Sequence, residues 1–325
     1  MNTGKHLSNG AVNFRRVVLL FGLTTVIVAC SDTGSNGNAT TRPAIDAPRF
    51  SADSAFAFLK RQVEFGPRVP GTPGHAQQLE WMTGLLRSWA DTVELQAFTH
   101  DAEGTRLDLT NVFARFRPTA TDRILLVAHW DTRPTADGES DSERRAMPIP
   151  GANDGASGTA VLLELARALS QQDPPIGVDL LFVDGEDYGP FGDNMYLGAK
   201  YFAANLPAGY KPLYGIVIDM VGDENPVYQI EGNSESSAPE IVQRVWRLAE
   251  QMGHGGVFQS RSGITVEDDH VPLNRAGIRT IDIIDFDYGP GNSYWHTLED
   301  DIDNTSPRGL GIVGEVMVAL IYRGG

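Results

Sequence analysis

Four short apolar runs rich in β-branched residues, at 124–127, 178–183, 215–218 and 280–284, alternate with stretches of helical period at 158–169, 197–206 and 239–252. Strands that alternate with helices imply a parallel sheet covered on both faces, because each crossover helix must lie on one face or the other. In open sheets of this kind ligands bind beyond the carboxyl ends of the strands. Here those ends are polar. The first run leads into Ala128-His129-Trp130-Asp131, the second into Asp184-Gly185-Glu186-Asp187, the third into Asp219-Met220-Val221-Gly222-Asp223-Glu224, and the fourth through Asp285-Phe286-Asp287 to Trp295-His296-Thr297. The titratable residues therefore converge on one edge of the sheet.

Upstream, helical spacing at 52–63 and 76–89 precedes strand-like segments at 93–98 and 107–117 with a Glu-Gly turn between them, which read as an antiparallel pair opening the sheet. Pro307 followed by Leu310, Val313, Val316 and Leu320 reads as a closing helix. No linker interrupts the chain after Arg49. The expected fold is thus one α/β domain over 49–325, with a mixed, mostly parallel central sheet flanked by helices on both faces.

The first 29 residues carry Lys5, Arg15 and Arg16, no acid, and then an apolar stretch over 17–29. This is a signal-peptide pattern, short for a membrane span, with an uncleaved N-terminal anchor as the alternative. Ile27-Val28-Ala29-Cys30 resembles the lipobox of bacterial lipoproteins, so Cys30 is expected to be the lipidated N-terminus of an exported, membrane-anchored protein on the periplasmic or cell-surface side. Residues 30–48 then form a flexible tether, rich in Ser, Thr, Gly, Asn and Pro. The lipid is the only membrane contact expected. Cys30 is the only cysteine, so no intramolecular disulfide can form and the core must hold the fold. The net charge of −16 becomes −19 once the leader and its three basic residues are removed, which excludes nucleic acid as an expected partner.

Five strand or loop ends each supply His, Asp or Glu, and a mixed imidazole and carboxylate set suits zinc. A histidine two residues before an aspartate, as in His129-x-Asp131, can bind metal through one nitrogen while the carboxylate holds the other N–H; the plainer reading is a strand-end histidine satisfied locally. Gly151-Ala152-Asn153-Asp154-Gly155-Ala156-Ser157-Gly158 places Asp154 in a Gly-rich turn before a helix, either as a ligand or as an N-cap. In Glu186-Asp187 the adjacent carboxylates repel; a cation on one leaves the other free for proton transfer, and an ordinary acidic loop is the alternative. His75, His100 and His254 stand in no ligand-like context and are expected at the surface or as caps.

These elements, with Ile218-Asp219-Met220-Val221-Gly222, Trp295-His296-Thr297 and Arg68-Val-Pro-Gly-Thr-Pro-Gly74, resemble in order and spacing the co-catalytic zinc aminopeptidases and the glutaminyl cyclases that share their fold, from about residue 50 to the C-terminus. The segments at 267–273 and 294–300 are similar to the cyclase branch, while 153–158 is closer to the peptidase version. The cyclase resemblance implies one zinc on Asp154, Asp187 and His296, Glu186 as general acid and base, Asp268 and Asp219 in a proton network, Trp295 as pocket wall and His270 beside the pocket. The aminopeptidase resemblance implies a second zinc on His129 and Asp219 with Asp154 bridging and Asp131 behind His129. Where the family most often has Glu-Glu, this chain has Glu186-Asp187. The implied reaction converts the N-terminal Gln of peptides or proteins to pyroglutamate with release of ammonia. The alternatives are hydrolysis of the first peptide bond by a two-zinc aminopeptidase and a catalytically silent binding ectodomain.

Overall fold

The computed structural model describes residues 47–190 and 192–324, so the leader, Cys30 and the tether apart from Ala47 and Pro48 lie outside the described residues. The elements run α1 (Ala52–Glu64), α2 (Pro73–Trp89), β1 (Thr92–Ala102), β2 (Thr105–Phe116), β3 (Arg123–His129), α3 (Ser142–Arg145), α4 (Ala156–Gln171), β4 (Gly177–Val183), α5 (Leu197–Ala204), β5 (Gly215–Asp219), β6 (Tyr228–Ile230), α6 (Gly232–Ser237), α7 (Pro239–Gln251), β7 (Phe258–Ser262), α8 (His270–Arg275), β8 (Thr280–Ile284) and α9 (Pro307–Arg323).

Six strands form the main sheet in the order β1-β2-β4-β3-β5-β8. Pairings among β4, β3, β5 and β8 are parallel, while β1 and β2 extend the sheet as an antiparallel pair, β2 lying against β4. Every residue of β3, β4, β5 and β8 is buried. That two-sided burial is why these strands read as unbroken apolar runs rather than as alternating ones. Successive side chains point to opposite faces. Ile124, Leu126 and Ala128 join the larger core with α1, α2, α4, α7 and α9, whereas Leu125 and Val127 join a second core with Phe202 of α5 and Leu273 of α8.

Helix α4 follows β3 on one face and α5 follows β4 on the other, after which β5 resumes on the far side of β3. The strand order therefore reverses around the carboxyl end of β3, where such sheets open a crevice. His129 is the last residue of that strand.

Side-chain oxygens of Ser51, Thr72 and Ser306 accept from the amides of Ser54, His75 and Arg308 at the starts of α1, α2 and α9, and Pro73 and Pro307 fill first helical positions. Helix α2 consequently begins at Pro73, one turn before the spacing at 76–89 announces it. The two-stranded parallel sheet of β6 and β7 escapes sequence reading because each strand is short; Tyr228 and Phe258 join them edge to face at 5.0 Å. Ala47, expected in the tether, packs against the larger core. No helix among the described residues is long and apolar enough to cross a membrane.

Candidate metal centre and active site

The loop after β3 and the start of α4 are pressed against two strand ends, and glycine makes this possible. A Cβ on Gly155 would stand 2.6 Å from the His129 ring, and one on Gly158 would stand 2.0 Å from the carbonyl of Ile218. The turn is then clamped. Asp300 accepts from the amides of Asn153 at 2.7 Å and Asp154 at 3.2 Å, the Asn153 side chain accepts from Gly222 N at 2.7 Å, and Ser157 Oγ accepts from Val221 N at 3.0 Å. Asp154 is not the N-cap of α4, which is Gly155 without a side-chain cap bond. Its carboxylate is free to face the crevice.

Asp131 grips the next loop, accepting from Glu186 N at 3.0 Å and Asp187 N at 3.1 Å. These two bonds fix both carboxylates of the Glu186-Asp187 pair relative to β3. The expected bond from His129 to Asp131 is longer, 3.6 Å from Nδ1, because the Asp131 oxygens are directed at the loop amides.

Two overlapping groups of donor atoms result, and they share Asp154: Asp154, Asp187 and His296, and His129, Asp154 and Asp219. In the first, His296 Nε2 lies 3.5 Å from Asp154 Oδ2 and 3.7 Å from Asp187 Oδ1. Two ligands bonded to one tetrahedral zinc at ordinary lengths stand about 3.3 Å apart, so the spacing suits an ion held between them. The other ring nitrogen, Nδ1, is 3.0 Å from Asp137 Oδ1, which fixes the tautomer with Nε2 turned to the centre. Arg133 donates to Asp187 and Asp137, while Asp187 Oδ2 is buried without a hydrogen-bond partner. An orphaned carboxylate oxygen beside an oriented imidazole is the donor chemistry zinc takes, and the residues fit it. In the second group His129 Nε2 is 3.2 Å from both Asp154 Oδ1 and Asp219 Oδ1.

Burial and crowding set the proton affinities. Asp187 is pushed up to about 7 by burial and by the Asp154 carboxylate, against the pull of His296, Arg133 and His129. Asp154 is held below the usual range because, although burial opposes its charge, it contacts His129 and faces His296. Burial works against a charged His129, but the carboxylates of Asp131, Asp154 and Asp219 outweigh it and raise its pKa. Glu186 is raised well above the ordinary range by burial and by the charges of Asp187, Asp268 and Asp269. A carboxyl so placed holds a proton more readily than a solvated one, which suits a group that accepts and returns a proton.

A cavity of about 70 Å³ brings Glu186, Asp187, Asp154, Asp219, Asp268 and His296 to one space. Trp295 lines it, stacked on His296 with ring centroids 3.8 Å apart and planes at 24°. Three other walls are Phe286, Tyr196 and Met220. Tyr196, Met220 and His296 have φ of 57°, 49° and 56°, a region that costs non-glycine residues about 1–3 kcal/mol each and persists where the surroundings impose it. Among the described residues, half of the non-glycine positions at positive φ thus line the cavity.

His270 does not reach this space. It is fully buried behind Asp268, with Nε2 3.1 Å from Glu231 and Nδ1 3.9 Å from Asp282. Asp268, His270 and Asp282 form a third donor group, and burial drives the Asp282 carboxyl and that of neighbouring Asp269 strongly upward. Sequence reasoning did not single out Arg133, Asp137, Asp300 or Asp282. Asp137 and Asp300 carried a legible signal, since Asp300 closes the cyclase-like segment at 294–300 and Asp137 lies six residues after Asp131. His75 is corrected from a surface residue: its ring is buried, stacked on Trp130 at 4.3 Å, with Nε2 2.9 Å from Asp184. His100 and His254 bond Asn194 and pair with Glu315 away from the cavity.

The sequence profile of peptidase family M28 matches residues 111–321, spanning β3 through most of α9. The chain belongs to peptidase family M28. Among relatives, the chain is 30% identical to a glutaminyl-peptide cyclotransferase-like protein of Bos taurus, over 74% of this chain and 67% of that protein. Among solved structures, this M28 fold superposes on the Bacteroides thetaiotaomicron glutaminyl cyclase bound to N-acetylhistamine with a TM-score of 0.82 at 42% identity, covering 85% of this chain and 99% of that one. A Zn-dependent exopeptidase from Parabacteroides distasonis matches with a TM-score of 0.82 at 36% identity, over 85% and 99%. The expected α/β architecture and the resemblance to the zinc aminopeptidases and glutaminyl cyclases both hold.

Proposed function

We propose that the protein is a zinc-dependent glutaminyl-peptide cyclotransferase that closes the N-terminal Gln of peptides to pyroglutamate and releases ammonia. The observation that carries this reading is the small cavity in which Glu186, buried and high in proton affinity, stands beside a three-ligand metal group under the flat wall of Trp295. Similarity to glutaminyl cyclases over most of the chain supports it.

Asp154, Asp187 and His296 would hold one zinc, with Asp137 and Arg133 orienting two of them. A zinc held by these residues would supply Lewis-acid polarisation to the γ-carboxamide carbonyl of the substrate Gln. Glu186 takes a proton from the substrate's α-amine as that nitrogen attacks the side-chain carbonyl, and returns it to the departing ammonia. Asp219, raised to about 6 by burial against the pull of His129, faces the same space as Asp268 and can share that proton. Trp295 and Phe286 keep the ring-closing end of the substrate dry.

A second reading, a two-zinc aminopeptidase, is favoured by the His129, Asp154 and Asp219 group, which has the composition of a second site. Incubating the soluble domain with a Gln-initiated peptide and with an aminopeptidase substrate, then measuring product masses, separates the two: loss of ammonia supports the cyclase, loss of the first residue the hydrolase, and neither sinks both in favour of a silent ectodomain. The substrates are peptides or proteins with a free N-terminus. We further propose export and lipid anchoring through Cys30, on the leader's charge and apolar pattern; Cys30→Ser should give a folded, unlipidated protein, and wild type cut elsewhere and unmodified at Cys30 would defeat the idea.

A further inference from the structure

Beside the catalytic cavity lies a second cleft of about 240 Å³. Ile284 and Phe286 line both, so the two spaces are neighbours across one wall, and Phe286 in turn packs on Trp295 with centroids 4.9 Å apart. An extended peptide advances about 3.3 Å per residue, so a chain whose first residue fills the small cavity must lay its next residues along whatever adjoins it.

The chemistry of this cleft is one-sided. Asp285, Asp287 and Glu231 line it, and among the described residues no basic one does. Its apolar surface comes from Val227, Ile264 and Phe286; Ile264 is 49% exposed, one of few large apolar side chains left open to water. Acids beside an apolar strip and an aromatic face suit a long cationic side chain, whose methylenes cover the strip while its head meets the carboxylates.

The acids are held in place. Asp285 accepts from Val227 N at 2.8 Å and Asp287 N at 3.2 Å. Glu231 accepts from Asn233 N at 2.7 Å and Ser234 N at 2.6 Å; though burial opposes its charge, these bonds and His270 hold it down to about 2. Asp287 is exposed at the rim.

We propose that this cleft is a specificity subsite that receives a Lys or Arg side chain from a residue shortly downstream of the substrate's N-terminus. The inference rests on the peptide-acting reading above and adds a sequence preference to it. The acidic protein as a whole attracts any cationic peptide, and that attraction is the same wherever the charge lies along the peptide. A subsite acts at one position.

The test is a set of Gln-initiated peptides with Lys, Ala or Glu placed in turn at the second, third and fourth residues, with Gln-amide as a substrate too short to reach the cleft. Lys at one of these positions, and not at the others, should raise kcat/KM about 5-fold over Ala, the scale of a partly exposed ion pair. Asp287→Lys should invert the Lys over Glu preference at that position while leaving Gln-amide turnover unchanged, which a merely misfolded variant would not do. Equal rates for Lys, Ala and Glu at every position, with Gln-amide still cyclised, overturn the subsite. Failure to cyclise Gln-amide overturns the cyclase reading instead, and the Lys scan is then read on release of the first residue.

Discussion

The two donor groups that share Asp154 are built from the same residue types and behave differently. His296 is backed by Asp137 at 3.0 Å and stands 3.5 and 3.7 Å from the carboxylates it faces. His129 stands 3.2 Å from both of its carboxylates, and its Nδ1 is buried without a hydrogen-bond partner. The first histidine is braced from behind by a carboxylate at hydrogen-bond distance; the second has Asp131 and Glu186 behind its Nδ1 only at 3.6 and 3.7 Å. What separates a metal ligand from a buried ion pair is therefore the outer partner that fixes the imidazole. On that account the braced group is the one proposed above to hold zinc.

The largest effect should come from removing a first-group ligand. Asp187→Ala or His296→Ala should abolish zinc binding and activity together, since each supplies one of three protein ligands, whereas His129→Ala should retain one zinc per chain. Metal analysis by mass spectrometry checks this, and two zincs in wild type that fall to none in His129→Ala would reverse the comparison. Next, Glu186→Gln should keep fold and zinc but lose about 10²- to 10⁴-fold in kcat, with KM changed much less. Near-normal turnover would remove Glu186 from the chemistry.

How much of this was legible follows from what each residue does. Continuous apolar runs such as 178–183 announced buried parallel strands, and the acids and histidines at their ends announced the crevice, because topology alone brings those ends together. His75 was misread because its partner, Asp184, is 109 residues away, a pairing that no local pattern encodes. The role of Asp131 shifted for a related reason: two backbone amides from a loop 55 and 56 residues on compete for its oxygens. Asp282 was invisible as a functional residue between the isoleucines of β8, where it joins His270 and Asp268 behind the cavity. Contacts between distant loops decide such roles, and periodicity is silent on them.

Among smaller effects, Asp137→Asn should weaken zinc affinity about 10- to 100-fold, the usual cost of losing the partner that orients a ligating histidine. Competition with a chelator measures it. Asp131→Asn, which perturbs the Glu186-Asp187 loop instead, should lower kcat more than zinc affinity; if the two variants behave alike, the distinction between a braced and an unbraced histidine fails.

The smallest and most specific effect concerns pH in the metal-free protein. Burial alone would depress His129, but the carboxylates of Asp131, Asp154 and Asp219 raise it well above its ordinary value of 6.5. A histidine whose folded-state pKa is raised stabilises the fold fully below its unfolded pKa and loses that contribution as pH climbs through the folded pKa. Stripped of metal, wild type should therefore exceed His129→Gln in Tm by most near pH 6, with the gap narrowing as the solution is made alkaline. A metal held by His129 must displace that proton, so its binding should strengthen as pH rises. Thermal melts from pH 6 to 9 and zinc titrations over the same range test both halves. A Tm gap that stayed flat, with zinc affinity at His129 independent of pH, would mean that His129 carries no bound proton in the metal-free protein, and the difference between the two groups would have to be sought elsewhere.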